Sequence, residues 1–211
     1  MEPRIDYYFD SLSPFTYLGH QRLLDIAAAA GAHIRVLPVR LGPVFAACGA
    51  KPLFERSQAR RDYRLLELRR WSKKRGLPLN PQPRFFPADS ELANTCIIAL
   101  QAASQDPAAF IGRVLSACWA QEQNIADVSV IRERLETCGF DAEQVLAAAA
   151  ADETQAIYEH NTEQAIAQGI LGAPAYILNA EQFWGTGPAR AAGRNPGSAL
   201  NIPEISTVET S

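Results

Sequence analysis

The sequence predicts an α/β protein, and three observations carry the prediction. Two short β-type runs flank a helical pattern near the start of the 211-residue chain. Roughly a hundred residues of almost purely helical periodicity follow, and a helix with two short strands closes the patterned region. A strand, a helix and a second strand joined this tightly make a parallel pair, which places the chain in the α/β class.

The elements follow in order. Residues 4 to 9 (Arg-Ile-Asp-Tyr-Tyr-Phe) read as a strand. Residues 15 to 30 read as a helix whose Leu18, Leu23, Leu24 and Ile26 form an apolar face, with Gly31 as its stop. Residues 34 to 40 read as a second strand, and Pro38 predicts an edge position or an irregular end. Helices are expected at 57–75, 89–104, 107–122, 127–138 and 141–150, with Asp89, Asp106, Pro107, Asp127 and Asp141 near their starts. A further helix at 152–168 ends at Gly169, and a strand led by Pro174 runs to Leu178, where Phe183-Trp184-Gly185 can pair with it as a hairpin. The plan is a thioredoxin-like sheet interrupted by an all-helical insertion. Residues 1–40 and 152–185 form the sheet domain and 41–151 the insertion. From Thr186 onward Gly and Pro recur every few residues with no period, so 186–211 is expected to be an irregular or disordered tail.

Composition narrows the function. A hydrophobic content of 47% with 20% charged residues suits a globular protein with a real core. The net charge of -3 exerts no overall pull toward nucleic acid. No run approaches the roughly 18 to 20 apolar residues of a membrane span. Met1 to Ile5 lack an apolar signal core, so a cytoplasmic location is expected. Cys48, Cys96, Cys118 and Cys138 form no Cys-x-x-Cys pair, and His20, His33 and His160 are isolated. Buried, inert thiols and no metal site are expected.

The stretch Ser13-Pro14-Phe15-Thr16 lies where a thioredoxin-like protein carries Cys-x-x-Cys, and both cysteine positions hold hydroxyls. The free N–H groups and positive dipole at such a helix start stabilise a thiolate. With Ser13 there, the thiolate must arrive on a ligand, and glutathione is the obvious candidate. Ser13 would donate to its sulfur and lower the thiol pKa. An ordinary N-cap before Pro14 has the same appearance. At the other end, Gly172-Ala173-Pro174 matches the place where this fold keeps a proline facing that helix, typically cis. Such a turn leaves the Ala173 N–H and C=O free to pair with an extended peptide, although Gly-Ala-Pro is also an ordinary turn sequence. Between residues 56 and 75 nine basic residues stand against two acidic ones. They read either as a solvated helix face or, with Lys51, as an attractor for carboxylates of glutathione and of an acidic aromatic substrate.

The chain resembles the 2-hydroxychromene-2-carboxylate isomerases and their kappa-class glutathione transferase relatives, in the DsbA-like branch of thioredoxin folds. The resemblance spans residues 4 to 185. It rests on Tyr8-Phe9-Asp10-x-x-Ser13-Pro14-Phe15-x-Tyr17-Leu18, on Cys48-Gly49-Ala50-Lys51-Pro52, and on Tyr63 through Gly76-Leu77-Pro78. Phe86-Pro87, Gly169 through Pro174 and Phe183-Trp184-Gly185 complete it. It implies a glutathione-dependent isomerase in which Ser13 is catalytic and Ala173, before a cis Pro174, pairs with the cysteinyl unit. The implied glutathione-binding set is Ser13, Ala173, Pro174, Trp184, Gly185 and Lys51. A small aromatic acid is the implied substrate, aromatic-compound catabolism the setting and a homodimer the assembly. A kappa-like transferase, a thiol- or peptide-binding module and an inactive family member are the alternatives.

Two departures matter. Ala50 stands where the family commonly has an Asn that reaches the ligand. After Trp184-Gly185 the family carries a polar residue and Asp-Arg-Leu, which grip the γ-glutamyl end, whereas this chain has Thr186-Gly187-Pro188-Ala189. A one-nucleotide frame shift would account for the change. The codons CAG GAC CGG CTC GAG CTG CTG GCC, preceded by A and read from it, give Thr-Gly-Pro-Ala-Arg-Ala-Ala-Gly, as at 186 to 193. Resequencing the gene is expected to show that a one-base change restores an amphipathic helix after Gly185; a reading frame that offers none rejects this origin.

Overall fold

The computed structural model describes residues 3–185, so the expected irregular tail at 186–211 lies outside the described residues. A mixed sheet of order β2-β1-β3-β4 forms from β1 (Arg4–Phe9), β2 (His33–Pro38), β3 (Ala175–Leu178) and β4 (Glu181–Trp184). β1 runs parallel to β2 and antiparallel to β3, and β3 and β4 make the expected hairpin. Helix α1 (Pro14–Ala30) supplies the crossover between the parallel strands and ends at Gly31, whose φ of 60° is the left-handed cap that glycine tolerates.

β1 reads as a continuous run, Ile-Asp-Tyr-Tyr-Phe, because it is central and covered on both faces. Ile5, Tyr7 and Phe9 enter the main core, which contains Leu18, Leu23, Ile97, Phe110 and Trp119. Tyr8 points to the opposite face, against Leu37, Val39, Val44 and Ala175. β2 is an edge strand and Pro38 is its last paired residue, opposite Phe9, as its missing donor requires.

Between β2 and β3 lies the helical insertion: α2 (Leu41–Cys48), α3 (Gln58–Arg75), α4 (Glu91–Ala102), α5 (Ala108–Trp119), α6 (Val128–Thr137) and α7 (Ala142–Ala149), followed by α8 (Asp152–Ala167). Sequence periodicity missed α2 and the 3-10 turn Leu53–Glu55. Helix α2 has no side-chain cap at Arg40 and opens Leu-Gly-Pro, so its start carries none of the usual signals. β2 correspondingly stops short of the expected residue 40, because the Arg40 N–H leaves the sheet edge and donates to Thr162 Oγ1 at 3.0 Å. Asp127 and Asp141 cap α6 and α7, accepting from Ser129 and Gln144 N–H, as their positions predict. At the start of α4 the cap position belongs to Ser90, whose hydroxyl is used elsewhere, and Asp89 Oδ1 accepts from the Glu91 N–H at 2.8 Å.

His20 of α1 is 4% exposed. Its Nε2 lies 3.0 Å from the Ala108 carbonyl, which can only accept, so Nε2 carries the proton and Nδ1 faces the Tyr7 hydroxyl at 3.4 Å. Burial, partly offset by the Ala108 hydrogen bond, holds the imidazole pKa below its ordinary 6.5. The unfolded chain therefore takes up this proton before the folded one does, and stability falls as pH drops through 6.5. Thermal unfolding followed by circular dichroism should show a midpoint that declines below pH 6.5, and a shallower decline in His20→Gln.

Candidate active site

The site grows from the turn between β1 and α1. The Ser13 N–H donates to the Asp10 carbonyl at 3.0 Å and the Leu12 N–H to Asp10 Oδ1 at 2.7 Å, which folds the chain sharply into the helix. Ser13 is the N-cap, and its Oγ accepts from the Thr16 N–H at 3.2 Å. Pro14 has no donor, the Tyr17 N–H reaches the Ser13 carbonyl, and among the described residues the Phe15 N–H has no partner. One donor is thus left at the positive end of α1.

Across from this end stands the turn before β3. The Ala173–Pro174 bond is cis, as expected. The Ser13 hydroxyl donates to the Ala173 carbonyl at 3.1 Å, so that carbonyl is not free as the sequence reading has it; the Ala173 N–H makes no hydrogen bond among the described residues. The Gly185 N–H donates to the Pro174 carbonyl at 3.0 Å, and Trp184 pairs with Ala175. A Cβ on Gly172 would come within 3.3 Å of both Phe45 Cε1 and Trp184 Nε1, so the chain passes between two rings where only glycine fits without displacement. Ser13, Ala173, Pro174, Trp184 and Gly185 therefore converge. Lys51 is not brought to them by any hydrogen bond among the described residues: it is exposed, and its carbonyl accepts from Arg56 Nε at 2.8 Å. The neighbouring Cys48 thiol, 3.7 Å from the Leu171 carbonyl, brings this segment beside the turn.

Behind the turn lies a buried polar network that sequence reasoning missed. Ser90 Oγ and Asn94 Nδ2 donate to Asp10 Oδ2 at 2.9 and 3.1 Å. Asn94 Oδ1 accepts from the Ser11 N–H and Oγ–H at 3.1 and 2.6 Å, and Asn94 Nδ2 lies 2.8 Å from the Tyr158 hydroxyl. Burial raises the Asp10 carboxyl above its ordinary range, while the donors from Leu12, Ser90 and Asn94 pull the other way. Burial likewise raises the Tyr158 phenol, whose ring lies 4.1 Å beneath the Arg40 guanidinium. The available signal was the Asn94-Thr95 pair inside an otherwise apolar stretch of helix.

All four cysteines are free. Cys96 and Cys118 are buried thiols pushed up to about 12 by desolvation, as inert core residues should be. Cys48 and Cys138 are only partly buried, a departure from the expectation for the set. No described helix is long and apolar enough to cross a membrane.

A helix start facing a cis-proline turn on the central sheet defines a thioredoxin-fold protein, here with serine in place of the first redox cysteine. The family profile of the DSBA-like thioredoxin domain matches residues 4–191. The 2-hydroxychromene-2-carboxylate isomerase of Pseudomonas putida is 32% identical over 86% of this chain and 88% of that protein. Glutathione S-transferase kappa 1 of Caenorhabditis elegans is 26% identical, over 85% of this chain and 82% of its own. A solved 2-hydroxychromene-2-carboxylate isomerase superposes with a TM-score of 0.76 at 29% identity, covering 87% of this chain and 89% of the other. The chain belongs to the DsbA-like thioredoxin family, in the branch of the 2-hydroxychromene-2-carboxylate isomerases and kappa-class glutathione transferases. These relatives support an isomerase or glutathione-related activity.

Replacing Asn94, which is fully buried, strands the Ser11 donors and removes one donor from the Asp10 carboxylate. Asn94→Leu should lose about 1–3 kcal/mol of stability in urea unfolding; an unchanged midpoint contradicts a structural role for the network.

Proposed function

We propose that the protein is a glutathione-dependent isomerase of 2-hydroxychromene-2-carboxylate-type aromatic acids. The observation that carries the reading is the Ser13 hydroxyl, seated at the start of α1 and within reach of Ala173, where a redox relative would hold a sulfur. The immediate donor set suits an anionic sulfur carried by a peptide. It comprises the Ser13 hydroxyl, the uncommitted Phe15 N–H and the uncommitted Ala173 N–H. The cofactor supplies a thiolate that adds reversibly to the unsaturated acid and leaves again after bond rotation, with no net redox change.

The chain's own residues would prepare that chemistry. Ser13 Oγ has a single proton, directed to the Ala173 carbonyl in the structure. Turned toward a sulfur instead, the same proton stabilises the thiolate over the thiol and lowers the thiol pKa. The Thr16 N–H, donating to Oγ, polarises the hydroxyl and strengthens it as a donor. Ala173 would hold the cysteinyl unit by its backbone N–H, as a strand edge holds a peptide. Gly172, pressed between Phe45 and Trp184, keeps that backbone in place, and Gly185 anchors Pro174 from behind. Ala50 provides no side-chain polar contact where the family's Asn does, which should weaken glutathione binding. A kappa-like transferase reaction would use the same thiolate and is supported by the kappa-class relative.

Calorimetry should detect glutathione binding, and an ultraviolet assay with the hydroxychromene carboxylate should show turnover that depends on it. Ser13→Ala should reduce turnover about ten- to a hundred-fold, the worth of one hydrogen bond to a charged group. It should also move the activity profile to higher pH, because the thiol loses the donor that favoured its ionised form. Full activity without glutathione, or in Ser13→Ala, would sink the proposal.

A further inference from the structure

Two arginines of the basic stretch, Arg56 and Arg64, rest on aromatic rings other than Trp71, the ring that Lys74 and Arg75 share. Arg56, just before α3, is partly buried with its guanidinium carbon 5.8 Å from the centre of the Phe45 ring. Arg64, within α3, is also partly buried and lies 5.4 Å from the centre of the Phe86 ring and 6.0 Å from that of Trp119. Phe45 is the ring that presses on Gly172, beside Ala173. Phe86 stands on the loop that leads to Ser90, the partner of Asp10, and the start of that loop accepts from the Tyr17 hydroxyl at Pro78. Arg56 thus stands against the ring that touches Gly172, and Arg64 against a ring of the loop that leads to Ser90.

Their charges are also uncompensated. Arg4, Arg35, Arg40, Arg70, Arg132 and Arg134 all pair with carboxylates. Among the described residues neither Arg56 nor Arg64 does. Burial, and then the repulsion of Arg56, push Arg64 down to about 10, so it remains a cation at neutral pH but an uncomfortable one. Ring faces stabilise such a cation modestly and leave the planar N–H fork open to a carboxylate.

We infer that Arg64 is the receptor for the carboxylate of the aromatic acid, with partly buried Phe86 beside it for the ring and Arg56 strengthening the field. The assignment rests on the aromatic-acid reading above and adds the residue that selects acids over neutral analogues. An anion in this position relieves the repulsion between the two arginines and gains a charge-assisted, bidentate hydrogen bond. Of the other basic residues of α3, Arg70 pairs with Glu67, and Lys74 and Arg75 lie over the Trp71 ring.

Because Arg64 lies near Trp119, tryptophan fluorescence can report binding without turnover. trans-Benzylidenepyruvate and its methyl ester are titrated into the full chain in the absence of glutathione. The wild type should prefer the acid. Arg64→Met should weaken the acid about ten- to a hundred-fold and leave the ester unchanged, and Arg64→Lys should recover part of the loss. Glutathione affinity, measured by calorimetry, should be the same in wild type and Arg64→Met. Equal affinity for acid and ester in the wild type, or parallel loss of both in Arg64→Met and Arg64→Lys, overturns the assignment. So does a loss confined to glutathione, which gives the arginine to that ligand's carboxylate instead. An intact, Arg64-dependent preference for the acid in a protein that binds no glutathione upholds the receptor and defeats only the glutathione-dependent reading.

Discussion

The hydrogen bond from the Ser13 hydroxyl to the Ala173 carbonyl joins positions 160 residues apart, and the candidate site depends on it. It closes the gap between the start of α1 and the turn before β3. Both segments reach that gap because β1 is central: α1 leaves one end of it, and β3 pairs antiparallel along its other edge. A hydroxyl suits this post because it accepts from the Thr16 N–H as it donates to the carbonyl, so it serves the helix and the turn together. A side chain without both capacities leaves one of those buried partners unmet.

The turn itself is held from beneath by the Asp10, Asn94 and Tyr158 network. These three residues come from the β1–α1 turn, α4 and α8, so the network ties the helical insertion to the sheet at the point where the site forms. Ser90 illustrates the priority: it occupies the N-cap position of α4, yet its hydroxyl is directed to Asp10 rather than to its own helix. A buried carboxylate needs its donors more than a helix end near solvent needs one cap. Packing alone places helices within limits, whereas a satisfied polar network fixes one arrangement.

Much of the fold was legible in the sequence because most of its elements announce themselves locally. Gly31 and Gly76 stop α1 and α3 in left-handed conformations, Asp127 and Asp141 cap α6 and α7, and Pro38 marks an edge. Helix α2 was not legible, since Leu41-Gly42-Pro43 carries no cap and its face of Leu41, Val44, Phe45 and Cys48 spans only two turns. At the site, Ser13 and the Ala173-Pro174 turn could be read from their local patterns. Asn94 and Tyr158 could not, because a polar residue on a buried helix face shows its partner only after distant helices have packed.

The division between sequence and structure follows from the range of the forces involved. The sequence by itself determined the α/β plan, the hydroxyl in place of a redox sulfur and the proline before the third strand, since caps, turns and periodicity act over a few residues. Tertiary structure alone decided which of nine basic residues between 56 and 75 lean on aromatic rings, and which meet solvent. It also left Lys51 exposed, with its carbonyl bonded to Arg56. Charge density along a helix is written in the chain, but the direction and partner of each charge are set by burial and repulsion among residues that only folding brings together.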